Sequence, residues 1–239
     1  MQQNEALTFE KGIKDGFPIC LGYLGVSFAF GMTATQGGLP VWAVFLISMT
    51  NLTSAGQFAG TQMILTGALY IEIAVTTLII NIRYMLMSLS LSQKVDETMS
   101  SLQRFVLSFG VTDEIFAVAM QQKGAIPARY FSGLIVAPYA GWVIGTLLGA
   151  TATGLLPASV RTALGIVIYG MFIAIILPPA RKIVPVAKVI GISAVLSCVF
   201  RWAPYVSRIS SGWVIIVCAV IASGYAALRY PIQEAEVRE

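Results

Sequence analysis

Long uncharged stretches recur down this chain, and they decide the solvent in which it folds. Phe131 to Val160 and Thr162 to Ala180 contain no Asp, Glu, Lys or Arg, and each is long enough to cross about 30 Å of hydrocarbon. Of 239 residues 57% are hydrophobic and 11% charged, which leaves too little polar surface to dissolve a soluble fold of this size. In lipid every backbone polar group must be satisfied internally, and twenty-residue runs suit helices. The expectation is an all-α polytopic membrane protein, one transmembrane domain over residues 1–239, with no soluble domain.

The N-terminal MQQNEALTFEKGIKDG mixes acids with lysines and leads into glycine-rich apolar sequence without a cleavage pattern. That reads as an anchored first helix, not a removed signal peptide. Cys20, Cys198 and Cys218 are irregularly spaced in apolar surroundings and the chain has no histidine, so the cysteines read as packing residues and no metal site or cofactor is expected. The formal charge of +4 comes with no basic run, which argues against a nucleic-acid partner.

Apolar runs bounded by charge, Pro or Gly give about eight hydrophobic segments, near residues 17–37, 40–68, 70–92, 102–122, 130–156, 159–180, 184–201 and 209–229. The one sizeable polar linker, SQKVDETMSSLQR, separates a front part (1–92) from a rear part (105–239), with the linker at 93–104. A weak internal echo sets GYLGVSFAFGMTATQGGLP, from Gly22, against PYAGWVIGTLLGATATGLLP, from Pro138. Chance similarity and an internal repeat both account for it; a repeat would fit secondary transporters, whose sites lie at repeat interfaces. Eight full crossings would place nine Lys and Arg on the N-terminal side and five opposite. If segments 40–68 and 102–122 each enter and return on one side, Lys94 and Arg104 join Lys11, Lys14, Lys123, Arg129, Arg181, Lys182, Lys188, Arg229 and Arg238, and the split becomes eleven against three. By the positive-inside rule both termini are then expected in the cytoplasm.

Those two segments also carry the most polar residues. Within TNLTSAGQFAG, Asn51, Thr53, Ser54 and Gln57 interrupt an apolar run, either because the helix breaks at midplane or because a continuous helix hydrogen-bonds its neighbours. In LIINIRYMLMS, Asn81, Tyr84 and Ser88 share a helix face close to Arg83; the arginine either snorkels or pairs, or it binds substrate. In SFGVTDEIFAVA, Asp113 and Glu114 occupy mid-segment and point about 100° apart on a helix. Either both sit at a wet mouth, or one pairs with Arg83 while the other takes a proton or an ammonium. Thr112 ahead of them suits the cap of a half-helix. Glu72, nearer a segment end, reads as interfacial.

The run GIKDGFPICLGYLGVSFAFGMTA, with NLTSAGQFAG, NIRYMLMSLSL and VTDEIFAVA, resembles the AzlC/YgaZ family of branched-chain amino acid exporters over roughly residues 11–122. The resemblance implies export of valine, leucine and isoleucine across the cytoplasmic (inner) membrane on an ion gradient. It also implies a small membrane partner of the AzlD/YgaH type. Candidate substrate-binding residues are Asn51, Ser54, Gln57, Asn81, Arg83 and Tyr84, and candidate coupling residues are Asp113 and Glu114. Rival readings are a membrane channel or assembly scaffold, or an intramembrane enzyme; the lack of histidine and of a serine with an evident base weighs against catalysis.

Overall fold

The computed structural model describes residues 7–152, 176–204 and 209–230, with a few single positions between 154 and 173. The described residues form helices and turns, with a single bridge between Val95 and Ile126. Helix α1, Phe9–Gln36, starts where the Thr8 hydroxyl accepts the Lys11 N–H at 3.2 Å, a side-chain cap. It runs parallel to α7, Ala128–Ala152: Gly16 lies on Leu134, Gly141 on Cys20 and Gly145 on Leu24. A Cβ on Gly16 would fall 2.6 Å from the Leu134 carbonyl oxygen, and one on Gly145 would fall 2.7 Å from that of Leu24. Glycines bring the two backbones into contact, the packing that replaces the hydrophobic effect in lipid. The two segments of the internal echo thus lie side by side, and the glycine face of α7, suited to seat another helix, is filled by α1 of the same chain.

We call the side where α1 begins the proximal face and the side where it ends the distal face. After α1 the chain turns at Gly38, which has a positive φ of 107°, and α2, Val41–Thr50, descends from the distal face. Val44 packs on Phe30, Ala34 and Ala150 near the distal ends of α1 and α7. Deeper, the Ser48 and Thr146 hydroxyls bond at 2.7 Å, and Tyr139 donates to the Met49 carbonyl at 2.8 Å. At this depth the helix breaks, over Asn51 to Thr53. Helix α3, Ser54–Leu65, climbs back, with Phe58 edge-on to Phe30 at 5.1 Å and Leu65 against Gly37. Segment 40–68 is therefore a helical hairpin reaching mid-depth from the distal face. The break is shorter than the polar run suggests, because the Thr53 side chain accepts the Gly56 N–H and helix resumes at once.

Gly67, with φ 72°, turns the chain into α4, Tyr70–Ser92, which crosses to the proximal face. There Leu91 joins Ile126, Tyr130 and Phe131 in a buried cluster. Helix α5, Ser101–Ser108, opens with a capping box between Ser100 and Gln103 and rises until Phe109 meets Tyr139, ring centroids 5.8 Å apart. Helix α6, Asp113–Gln121, returns, with Ile115 and Ala119 in the proximal cluster and the Met120 carbonyl accepting from the Lys94 ammonium. Segment 102–122 is the second hairpin, entering from the opposite face. The unit α1–α2–α3 and the unit α4–α5–α6 thus run in opposite directions, each a long helix followed by a hairpin whose second arm starts at a capping threonine, Thr53 or Thr112.

Last come α8, Val184–Trp202, and α9, Ser211–Arg229. They are antiparallel, with Ser197 beside Cys218 and Lys188 bonded to the Tyr230 hydroxyl at 2.7 Å. Gly212 packs on Met63 and Glu72, so α9 begins at the distal face. Eight full crossings are not what forms. Five described helices, α1, α4, α7, α8 and α9, are long and apolar enough to span a membrane, and two of the eight expected segments turn back at mid-depth. The expected segment at 159–180 lies largely outside the described residues.

Candidate functional site

The tips of the two hairpins meet α4, α1 and α7 at mid-depth, and the polar side chains of the chain converge there. Arg83 Nη1 lies 2.8 Å from Asp113 Oδ1 and 2.7 Å from Oδ2. Its Nη2 donates to the Tyr84 hydroxyl at 3.2 Å, and the guanidinium carbon sits 4.8 Å from the centre of the Tyr84 ring. Of the two adjacent acids Asp113 takes the arginine. Glu114, turned away as helix geometry requires, lies 2.6 Å from the Tyr23 hydroxyl, which is also 2.7 Å from the Thr112 hydroxyl. The phenol has one proton, so it donates to the carboxylate and accepts from Thr112. The threonine oxygen in turn caps α6 by accepting the Ile115 N–H at 3.4 Å. Two acids in the first turn of a helix also suit its positive end.

The distal hairpin is fixed by a second, buried chain of hydrogen bonds. Trp142 donates to Gln57 Oε1 at 3.0 Å, and Gln57 Nε2 donates to Ser48 at 2.5 Å; Ser48 pairs with Thr146. Gln57 is 1% exposed and Ser48 and Thr146 fully buried, so the amide is gripped through both its oxygen and its nitrogen and holds α2, α3 and α7 together at the break. On the other side of the tip, Thr53 donates to Asn81 Oδ1 at 2.7 Å, and Asn81 packs so closely on Gly56 that a Cβ there would meet its amide at 2.9 Å. Tyr23 links the two networks through an edge-on contact with Trp142, 5.3 Å between centroids.

Between α2, α3 and α4 lies an open cavity of about 370 Å³, within the size range of small-molecule sites, about 300–1,000 Å³. Asn51, Gln57, Asn81 and Thr50 border its deep end, and Thr61 and Thr77 lie higher toward the distal face. The Thr61 hydroxyl is buried, with no hydrogen-bond partner among the described residues, a cost of about 1–3 kcal/mol. Ile47, Thr50 and Asn51, at the carbonyl end of α2, border the cavity, although the Met49 carbonyl of that end is taken by Tyr139. The N-terminal end of α3, through Gly56 and Gln57, borders the same deep end.

The expected substrate residues divide. Asn51, Gln57 and Asn81 line the cavity; Ser54 opens α3 without lining it; Arg83 and Tyr84 lie on the proximal side with Asp113 and Glu114. Glu72, read as interfacial, is 4% exposed and accepts from Ser210 and, at 3.1 Å, from the Gly212 N–H. Tyr23, Ser48, Thr61, Thr146 and Trp142 were not singled out by sequence. Single hydroxyls and aromatics in apolar helices are common, and only the fold brings these to one depth. Among the described residues no cluster of His, Cys, Asp and Glu is placed to hold a metal.

Comparison with known proteins gives a family. The model of the AzlC protein family matches residues 18–156, which contain both hairpins and the whole of the mid-depth network. The chain is 32% identical over 183 residues to the inner membrane protein YgaZ of Escherichia coli K12, covering 73% of this chain and 74% of that one. It is also 32% identical over 182 residues to a membrane protein of Archaeoglobus fulgidus described as uncharacterized, covering 73% and 77%. A similarly described protein of Helicobacter pylori J99 is 27% identical over 149 residues, 59% and 64% of the two chains. No solved structure matches. These relatives and the five spanning helices make this a multi-pass membrane protein, and the chain belongs to the AzlC family.

Proposed function

We propose that the protein is a secondary transporter that exports branched-chain, neutral aliphatic amino acids such as valine, leucine and isoleucine across the cytoplasmic membrane. The observation that carries this reading is the pair of opposed helical hairpins whose tips meet at mid-depth beside a cavity. Broken helices of this kind are tolerated in lipid where they line a path or bind a ligand. The cavity sets the carbonyl end of α2 next to the N–H end of α3. Carbonyl ends favour an ammonium and N-termini a carboxylate, so a zwitterion is matched at both ends, while Ile47, Ile64 and Ile73 provide an apolar wall for an aliphatic side chain.

Lys11, Lys14, Lys94, Arg104, Lys123 and Arg129 stand at the proximal ends of the helices and hairpins, and by the positive-inside rule the proximal face, where α1 begins and α9 ends, is the cytoplasmic one. The cavity extends from mid-depth toward the distal, outer side. On the cytoplasmic side the Arg83–Asp113 pair and the Tyr23–Glu114 bond tie α4 and α1 to the proximal hairpin. In this reading those two contacts are what must open to load substrate from the cytoplasm, and Asp113 and Glu114 are the coupling acids. A small AzlD/YgaH-type membrane subunit completes the assembly. Apolar helix surface is left for it: no residue of α8 is buried within the chain, and of α4 only Glu72, Thr76 and Leu91 are.

Cells lacking the protein and its partner and fed valine dipeptides are expected to accumulate internal valine, and complementation restores export. Equal internal valine with and without the pair contradicts the reading. A channel would pass D- and L-valine equally, and that result decides for this rival, whereas an assembly scaffold would pass neither.

A further inference from the structure

A second cavity, separate from the mid-depth one, opens at the distal face. It measures about 670 Å³ and lies between the α3–α4 turn and the facing ends of α8 and α9. Its polar groups are of both signs. Glu72 reaches it from α4 and Arg201 from the end of α8, and neither has an ion-pair partner among the described residues. Phe200, Leu69 and Val214 supply apolar wall between them.

Glu72 is held in place. Its residue is 4% exposed, and one carboxylate oxygen, Oε1, takes both protein hydrogen bonds, from the Ser210 hydroxyl and the Gly212 N–H. Glycine at position 212 lets Met63, Glu72 and the start of α9 pack this closely, since a Cβ there would fall 2.6 Å from Met63 Sδ and 2.8 Å from Glu72 Cγ. A buried carboxylate is costly unless it is paired. The helix end provides part of the compensation through one oxygen. The other oxygen, Oε2, makes no hydrogen bond among the described residues and is not fully shut off from solvent, and the Glu72 side chain lines the cavity.

We propose that this vestibule is a second binding site, selective for small apolar zwitterions, which places the ligand's ammonium on Glu72 Oε2 and its carboxylate on the Arg201 guanidinium. A zwitterion with an aliphatic side chain completes both unpaired charges and covers the apolar wall at once. An amine or a carboxylic acid completes only one charge and leaves the other exposed to lost solvation. The site would hold an amino acid at the distal mouth, apart from the mid-depth cavity, and it stands or falls on residues that the transport reading does not use.

The test is equilibrium dialysis of the purified full chain with radiolabelled L-leucine. Wild-type protein is expected to bind two leucines per chain, and Arg201→Gln and Glu72→Gln are each expected to weaken one of the two sites at least tenfold. Asn81→Ala is expected to weaken the other. Gln at position 72 keeps an acceptor for Ser210 and Gly212, and Arg201 is exposed, so a folding defect in one variant leaves the other as the test. Unchanged leucine binding in both Arg201→Gln and Glu72→Gln overturns the proposal, whatever Asn81→Ala does. Loss in those two with no effect of Asn81→Ala supports the vestibule and counts against the mid-depth site instead. Isoamylamine and isovalerate are expected to displace vestibule leucine at least tenfold less well than leucine itself; equal displacement by the amine overturns the zwitterion assignment.

Discussion

Replacing Gly149 by alanine tests the α1–α7 contact on which the rest of the fold is built. In the native packing the Phe28 carbonyl oxygen and carbon stand where the new Cβ would go, the carbon at 2.7 Å. The obstacle is backbone, so no rotamer change relieves it and the helices must separate locally. Overpacking of this kind costs about 1–3 kcal/mol, and because the clash is with backbone we place it near the upper end, about 3 kcal/mol. Alanine regains about 1 kcal/mol of helix propensity over glycine, leaving a net loss of about 2 kcal/mol. For a chain of this size 1 kcal/mol moves a melting midpoint by about 2–4 °C, so Gly149→Ala in detergent should melt about 4–8 °C below wild type. Gly25, on the same helix as Phe28, has nothing within 4 Å of an added Cβ. Gly25→Ala should therefore melt about 2–4 °C higher, from propensity alone. Melting by fluorescence-detected size exclusion distinguishes the two. A Gly149→Ala protein as stable as wild type, or a Gly25→Ala protein that loses as much, refutes the close-packed glycine interface.

Further outcomes follow from the hairpins and the mid-depth network. In a background lacking Cys20, Cys198 and Cys218, cysteines at Gln36 and Thr66 should react with an impermeant maleimide from one side, and cysteines at Gln93 and Lys123 from the other; Gln36 and Thr66 reacting from opposite sides would mean that segment 40–68 crosses. Arg83→Ala and Asp113→Asn should each cost about 1–3 kcal/mol of stability by leaving a partly buried charge or its partner unpaired. The double variant should cost less than the sum, and a double-mutant cycle with no coupling energy removes the pair from the account. Tyr23→Phe and Glu114→Gln should alter the pH dependence of transport alike, since the phenol and carboxylate share one hydrogen bond; a change in only one of them separates Glu114 from Tyr23. If Asp113 or Glu114 is a pure coupling acid, its amide variant abolishes pH-driven movement and spares exchange, whereas loss of both places the acid on the substrate ammonium.

Much of this architecture could be read from the chain because lipid makes polar residues expensive. Asn51, Gln57, Asp113 and Glu114 stand out in apolar runs, and the turn-back of their two segments is what raises the Lys and Arg asymmetry to eleven against three. Thr112 as a helix cap was legible for the same reason that cap residues generally are: a hydroxyl just ahead of two acids suits a helix start. The partners of these residues were not legible. Which acid meets Arg83 depends on the rotation of α6 about its axis, and Tyr23, Trp142 and Thr146 acquire roles only because α1 and α7 run in parallel. The echo between Gly22 and Pro138 falls on that parallel pair, but as sequence it was only a chance likeness or a repeat and said nothing of contact between the two. It did not reveal the opposed units, whose shared features reduce to a hairpin and a capping threonine. Glu72 looked interfacial because it sits in the first turn of α4, and α9, some 140 residues later in sequence, is what buries it.

In the transport reading the hairpin tips and their cavity move a branched-chain amino acid across the membrane. The most direct test of that reading is valine counterflow in proteoliposomes containing the protein with its small partner, preloaded with unlabelled L-valine and supplied with a trace of labelled L-valine outside. Label is expected to accumulate above equilibrium, competed by leucine and isoleucine but not by lysine or glutamate, and to do so no longer in Asn81→Ala. Label uptake no greater than in protein-free liposomes, or uptake indifferent to Asn81→Ala, contradicts the transport reading.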